Sequence, residues 1–478
     1  MSMTVNVSNL EWTELFESYA EKLKEELKVP GVAVGLSQDG ELLYCKEFGY
    51  RDAEEQQEIT MDTVFGIGSV TKSFTCVAIM KLQEEGKLSV HDPVIKYLPE
   101  FRMPHGQYTD QVTIHHFMTH TAGLPPLPSL YAAMKRSIEQ DPNVKGTEQV
   151  KKIEDLPYID TYSELMDFIA AQDVALLGPP GTQFSYSNDS YALLGAIIER
   201  VSGTSYEQYV TEHILEPAGM NRTVYTAGEL DQMDDVAKIY KRNPENPDEV
   251  FAAPHWWAAP AMTAAGFLKS TIRDLLRYTE IFRTGGMTGG VRILEEESVK
   301  QMTALHAVVD ADKYYGYGLM ITPGCFGGTL VEHGGSIKGV SAQIFTVPQT
   351  GICGAILNNV DGVPARELMN GSLNTMNSRP ADELLFDYEE EPVEAEELAD
   401  YYGVYQSGEG VQVTVGMVEG QLTLTAQGMS LPLRCVGQDR FAYKRRATEY
   451  TSDFIRDEEG RVIRLSFGFR QLPKVETT

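Results

Sequence analysis

Residues 65–85 read FGIGSVTKSFTCVAIMKLQEE, and the reading of the chain turns on them. From Ser69 to about Glu85 the apolar residues recur at helical spacing, with Gly86 placed as a C-cap, so the pattern predicts a mostly apolar, buried helix. Gly66 and Gly68 stand where the backbone must turn sharply into that helix, which leaves the Ser69 N–H directed outward as a candidate oxyanion donor. Ser69 and Lys72 are three apart and share one helix face. A serine hydroxyl is a weak nucleophile, but an amine held beside it in apolar surroundings loses its proton near neutral pH, because desolvation disfavours the ammonium form. Ser69 is therefore the candidate nucleophile and Lys72 its activating partner. The same glycines do not make a phosphate loop, since Thr71 stands where glycine must precede the lysine, and the third glycine of a dinucleotide fingerprint is missing.

Upstream, Trp12, Leu15, Phe16, Tyr19, Leu23 and Leu27 predict an amphipathic helix closed by Pro30-Gly31. GVAVGLSQ and ELLYCKEFGYRD then read as a hairpin joined at Asp39-Gly40. Downstream, residues 125–161 are rich in proline and charge without clear periodicity and read as a surface excursion, either a substrate-facing lid or a bland insertion. Helical spacing returns at Tyr162–Ala171, Asp189–Val201 and Thr271–Phe282, and strand patterns at YGYGLMIT, GTLVEH, VSAQIFTVP and GICGAILNN. The acidic stretch around 381–400 reads as a linker. From 401 to 478 short alternating runs separated by turns predict a small all-β barrel or sandwich.

Two further segments carry candidate chemistry. In Tyr186-Ser187-Asn188 the outer residues can face one pocket. A phenolate at Tyr186, stabilised by a cationic lysine, could act as general base, and Asn188 could hydrogen-bond Lys72 and a substrate carbonyl. In Glu332-His333-Gly334-Gly335-Ser336, glycines within a strand pattern permit close approach of an extended substrate along Gly335 and Ser336. His115, His116 and His120 lack acidic or thiol partners at metal-ligand spacing, so polar packing is preferred to a metal site. His255-Trp256-Trp257 reads as core, with a pocket or interface as its alternative.

Across 478 residues, 40 Lys plus Arg against 69 Asp plus Glu give a net charge of -29. That field disfavours nucleic acid and anionic membranes and mildly favours cationic substrates. The five cysteines are scattered without Cys-x-x-Cys pairing, which reads as reduced thiols in a cytoplasmic protein. No apolar run is long enough to cross a bilayer, and the opening MSMTVNVSNLEWTELFE carries neither a basic start nor an apolar signal core. No cofactor is called for, and self-association into a homo-oligomer is left open.

The three segments in this order resemble the serine β-lactamase and penicillin-binding-protein-like family, in particular its class C, D-aminopeptidase and esterase branch. HHFMTHTAGLP at 115–125, EPAGMNRT at 216–223, AAGFLKSTIRDLLRY at 264–278 and YGYGL at 315–319 extend the resemblance over roughly residues 10–375. It implies an α+β fold: an α/β/α sandwich with an antiparallel sheet and a helical subdomain over 1–380, followed by a lipocalin-like barrel. It also implies an acyl-serine mechanism with Ser69 as nucleophile, Lys72 and Tyr186 as the proton-transfer pair and Asn188 as a polar positioning residue. His333 and Gly335 would occupy the Lys-Thr-Gly-like site, and the N–H groups of Ser69 and Ser336 the oxyanion hole. Histidine replaces the family's lysine there, which turns the expectation from a dedicated β-lactamase towards a D-stereospecific peptidase acting on small peptides. A carboxylesterase or weak β-lactamase, acting on other amides or esters, and a non-turnover penicillin-binding or scaffold protein are the alternatives.

Overall fold

The computed structural model describes residues 11–145, 147–243, 246, 248–362, 365–394 and 396–475. Its frame is a nine-stranded sheet in the order Ala307–Val308, Tyr314–Tyr315, Met320–Cys325, Gly328–Ile337, Val340–Val347, Ile352–Asn358, Gly31–Gln38, Glu41–Asp52, Gln57–Glu58. Its neighbouring strands pair antiparallel. The strand Gly31–Gln38 enters the sheet beside Ile352–Asn358, so the two ends of this first unit are locked together. Period-two alternation sends Val32, Val34, Leu36, Phe345, Val347, Ile352 and Ile356 to one face, under the helices Glu11–Glu26 and Ala365–Met376. Ala33, Ala342, Ile344, Ala355 and Leu357 point to the other, where they join the larger helical core. Gly35 is small for a reason: a Cβ there would lie 2.2 Å from Ile272 Cγ2, so the helix Ile272–Thr284 rests directly on the strand backbone.

The sandwich with antiparallel sheet and helical subdomain is thus as expected, and so is the hairpin at Asp39-Gly40, both of whose residues have positive φ. Two details differ. Leu15, placed on the apolar face of the first helix, is 55% exposed, while Phe16, Ala20 and Leu23 do the packing. The stretch 125–161 is not a loose excursion. It forms helices Ser129–Gln140 and Glu148–Ile153, and Leu127, Ala132, Met134, Ile138 and Ile153 enter the same core as the helix Thr71–Glu84. Its charges disguised it, because Lys135 is not a solvated lysine: its amine donates to the carbonyls of Glu154 at 2.6 Å and Leu156 at 2.7 Å.

A second nine-stranded antiparallel sheet follows, from Gly403–Gln406 to Arg470–Val475. Its two edge strands, Met429–Pro432 and Arg434–Gly437, flank the single residue Leu433, so the sheet curls into a nearly closed barrel. Alternate residues such as Val413 and Val415, and Leu422 and Leu424, fill its interior with Tyr405, Phe441, Phe454 and Leu472. The acidic stretch before it runs along the barrel: the Tyr388 N–H donates to Glu449 at 3.1 Å and the Glu391 N–H to the Cys435 carbonyl at 2.8 Å.

Phe16 is fully buried between the first helix and the sheet. Phe16→Ala is expected to cost about 3–5 kcal/mol of stability, read as a lower urea midpoint with the slope unchanged.

Candidate active site

Ser69 sits in a short 3-10 turn, Gly68–Val70, that leads into the helix Thr71–Glu84. Gly68 is left-handed, at φ +50, and a Cβ there would lie 2.7 Å from the Ser336 nitrogen. The turn is closed by the Thr71 hydroxyl, which donates to the Gly68 carbonyl at 2.7 Å. Ser69 is thereby pressed against the strand Gly328–Ile337. One helical turn on, Lys72 is fully buried. Its Nζ lies 3.3 Å from Ser69 Oγ and donates to Asn188 Oδ1 at 2.8 Å and to the Ala265 carbonyl at 2.5 Å. Burial, and secondarily the nearby Arg470 charge, hold its pKa well below the ordinary lysine value.

Asn188 begins the helix Asn188–Ser202, whose N-cap is Ser187: the Ser190 N–H donates to its hydroxyl at 3.1 Å. Tyr186, just before the cap, has Lys72 Nζ 4.8 Å from its ring centroid. Its buried hydroxyl has no hydrogen-bond partner at ordinary length. Burial raises its pKa and the Ser69 hydroxyl lowers it, burial prevailing. The residue is therefore a phenol, not the phenolate that a cationic lysine would have supported. The phenolate expectation did not include the complete burial of the ring, which disfavours the charged form of the phenol as it does that of the Lys72 amine.

The strand Gly328–Ile337 supplies the third segment. It pairs with Val340–Val347 along its length to Ile337, but with Met320–Cys325 only as far as Glu332. Beyond that point one edge has no strand partner among the described residues, and the Ser69 turn packs close against the strand at Gly335 and Ser336. A Cβ on Gly335 would lie 1.9 Å from the Ile67 carbonyl oxygen and 3.0 Å from the Ser69 nitrogen. His333, which stands where the resemblance puts the family's lysine, is buried, and burial lowers its pKa to about 3. Its ring nitrogens are occupied, with Nε2 3.0 Å from the Tyr315 hydroxyl and Nδ1 2.7 Å from the Gly334 carbonyl.

Ser69, Lys72, Tyr186, Asn188, Gly335 and Ser336 thus converge, with His333 behind them. Around them stand His120, which the sequence offered as polar packing, and several residues it did not single out. His120, at φ +58, stacks 4.2 Å from the Tyr186 centroid, and its Nδ1 accepts the Ser187 N–H at 3.0 Å. Asp189, beside Asn188, is held by the Ser129 hydroxyl, and burial raises its pKa to about 7. The barrel contributes Phe469, Arg470 and Gln471: the Tyr186 N–H donates to the Phe469 carbonyl at 2.9 Å, and the Gln471 N–H to Ser185 Oγ at 3.2 Å. The polar packing read for His120 is what the structure shows, whereas no local pattern announces contacts 286 residues apart in the chain. Trp257 is core, donating its indole N–H to Asp141 at 2.8 Å, whereas Trp256 lines a recess with Gly66, Gly68 and Ile337. Among the described residues no His, Cys, Asp or Glu cluster could hold a metal ion.

The family profile described as Beta-lactamase matches residues 16–373, three quarters of the chain and every catalytic-region segment described above. The chain belongs to the β-lactamase family. This β-lactamase-family chain is 31% identical over 197 residues to Protein flp of Staphylococcus aureus (strain MW2), covering 41% of this chain and 35% of flp. It therefore spans about a third of the length of that relative. Penicillin-binding protein 4* of Bacillus subtilis (strain 168) is 26% identical over 331 residues, 68% of this chain and 66% of its own. The structure of the octameric penicillin-binding protein homologue from Pyrococcus abyssi is 30% identical, covers 97% of this chain and 100% of that one, and superposes with a TM-score of 0.69. Its barrel is included in that match, so the two-part architecture is shared.

Because Gly335 has no room for a methyl against Ile67, Gly335→Ala is expected to force the strand and the Ser69 turn apart. Thermal unfolding should show a loss of about 1–3 kcal/mol, the ordinary cost of overpacking.

Proposed function

We propose that the protein is a serine acyl hydrolase that works through an acyl-Ser69 intermediate. The observation that carries this reading is the Lys72 amine, which lies 3.3 Å from Ser69 Oγ and is anchored by donating to Asn188 Oδ1 and the Ala265 carbonyl, so that once neutral it can take the Ser69 proton. The Ser69 proton passes to Lys72 as Oγ bonds to the substrate carbonyl carbon, and the carbonyl electrons move to an oxyanion held by the N–H groups of Ser69 and Ser336. When the tetrahedral intermediate collapses, Tyr186 gives its proton to the leaving amine or alkoxide and regains one from the Lys72 ammonium. Water then releases the acyl group by the reverse sequence.

The finer reading is a D-stereospecific peptidase acting on small peptides. A neutral His333 where the family's lysine would stand, the free strand edge at Gly335 and Ser336, and the net charge of -29 all support a short extended substrate with a free amine. An ester substrate, or slow β-lactam turnover, uses the same chemistry. Self-association is part of the proposal, since the octameric homologue matches the whole chain.

Matched D- and L-aminoacyl peptides and a short-chain acyl ester, each assayed with wild type and Ser69→Ala, test it. Ser69→Ala is expected to lower turnover about a thousandfold or more, and Lys72→Arg comparably, because a guanidinium cannot surrender its proton. Preference for the D-peptide supports the finer reading, ester cleavage alone reassigns the protein as an esterase, and hydrolysis retained by Ser69→Ala overturns the mechanism.

A further inference from the structure

The barrel does more than abut the catalytic region. Its last hairpin, between strands Val462–Phe467 and Arg470–Val475, enters beside Tyr186, and the loop before strand Gln412–Val418 comes in next to it. Gly408 in that loop is packed so closely that a Cβ would lie 2.3 Å from the Pro126 carbonyl oxygen. The Arg470 guanidinium centre lies 5.1 Å from the Tyr186 ring centroid, the same ring that has Lys72 Nζ at 4.8 Å. Arg470 is braced by Glu409 through two contacts, Nε to Oε2 and Nη2 to Oε1, the second at 3.3 Å, and Nη1 donates to the Gly468 carbonyl at 3.3 Å. The two side chains are only 22% and 12% exposed, so salt screens them weakly.

We infer that Arg470, braced by Glu409, is a positioning residue of the catalytic centre, holding the Tyr186 ring over Lys72 and setting the electrostatic field in which Lys72 works. This rests on the acyl-hydrolase reading for its catalytic meaning, but not for its electrostatics. A cation over the ring and the Phe469 carbonyl on the Tyr186 N–H hold one residue by side chain and backbone together. The docked barrel is then an integral part of the site, not a detachable appendage.

Lys72 faces few groups able to change charge. Cys76 lies on its own helix, Asp189 on the helix behind Asn188, and His120 and His333 on the flanking turn and strand. Tyr186 and Tyr191 present ring faces. Both histidines are held neutral by burial, and Cys76 is held as a thiol. Asp189 is pushed up to about 7. After burial, which lowers the Lys72 pKa most, Arg470 lowers it further and Glu409 raises it. The signs are opposite for the two members of one ion pair, which separates an electrostatic role from a merely structural one.

The test measures two things on the full chain: the pH profile of acyl-ester hydrolysis, and the pH titration of the Lys72 13Cε resonance, assigned by its loss in Lys72→Met. Neutral Lys72 is the active form, so activity rises with pH through its pKa. Arg470→Gln is expected to move both midpoints up by about one pH unit, the size of one charge within about 10 Å at an intermediate dielectric. Glu409→Gln should move them down, and Arg470→Lys should stay near wild type. At a pH below the wild-type midpoint Arg470→Gln loses about tenfold in kcat with KM little changed. Titrations that coincide for all variants, or shift in one direction for both Arg470→Gln and Glu409→Gln, overturn the inference even if hydrolysis depends on Ser69. Opposite shifts in the 13Cε titration without Ser69-dependent hydrolysis uphold it and overturn the acyl-hydrolase reading instead.

Discussion

Everything in the site depends on one lysine held out of water. An ammonium at full burial costs several kcal/mol unless it is paired, and among the described residues no carboxylate forms an ion pair with Lys72. Burial therefore lowers its pKa well below the ordinary lysine value, and the neighbouring groups are arranged around a nitrogen that gives up its proton more readily. Its N–H groups need acceptors, which Asn188 and the Ala265 carbonyl supply, and Ser69 Oγ lies 3.3 Å from the same nitrogen. The helix Thr71–Glu84 is held in place around it by Phe74, Val77, Ile79, Met80 and Leu82, all packed within the main core.

The same constraint orders the surrounding elements. Asn188 must stand at the first turn of a helix so that its amide, not a longer charged side chain, meets the amine, and the Ser187 cap fixes where that helix begins. Ser69 must be delivered by a turn tight enough to reach the free edge of the strand Gly328–Ile337, which is why Gly68 is left-handed and Gly335 lacks a side chain. Tyr186 lies on irregular backbone with no helix or sheet of its own. It is held by His120 on one side and by the barrel's Phe469 and Gln471, the latter through Ser185, on the other.

What was legible in the sequence follows from the range of each interaction. The hairpin at Asp39-Gly40, the helix after Ser69 and the alternating barrel strands are set by neighbours a few residues away, and all are found where the periodicities put them. The pairing of Ser69 with Lys72 is likewise a matter of one helical turn. The helix Ser129–Gln140 was hidden because its lysine and polar residues satisfy buried carbonyls and a buried carboxylate, so charge there did not mean solvent. The protonation of Tyr186 and the neutrality of His333 were hidden for a related reason: both depend on total burial, which only the assembled fold determines. Arg470 and Glu409 lay in a segment with no motif at all, and only the docking of the barrel brings them to Tyr186.

The charge inventory of the finished site bears on its substrate. Burial lowers the Lys72 pKa well below its ordinary value, His333 is neutral with both ring nitrogens engaged, and Arg470 is matched by Glu409. Lys338, just past Ser336, is buried against Asp141 at 2.5 Å. Lys269, near the recess beside Gly68, spends its N–H groups on the carbonyls of Tyr225 and Phe267. Among these site groups a substrate carboxylate would meet no uncommitted cation, whereas an amine or a neutral acyl group approaches through a field of net charge -29 without having to break an existing pair. Gripping an anionic ring carboxylate is the part of β-lactam recognition this arrangement is least fitted to provide. The acyl transfer proposed above, attack on a neutral amide or ester carbonyl, asks for no such cation.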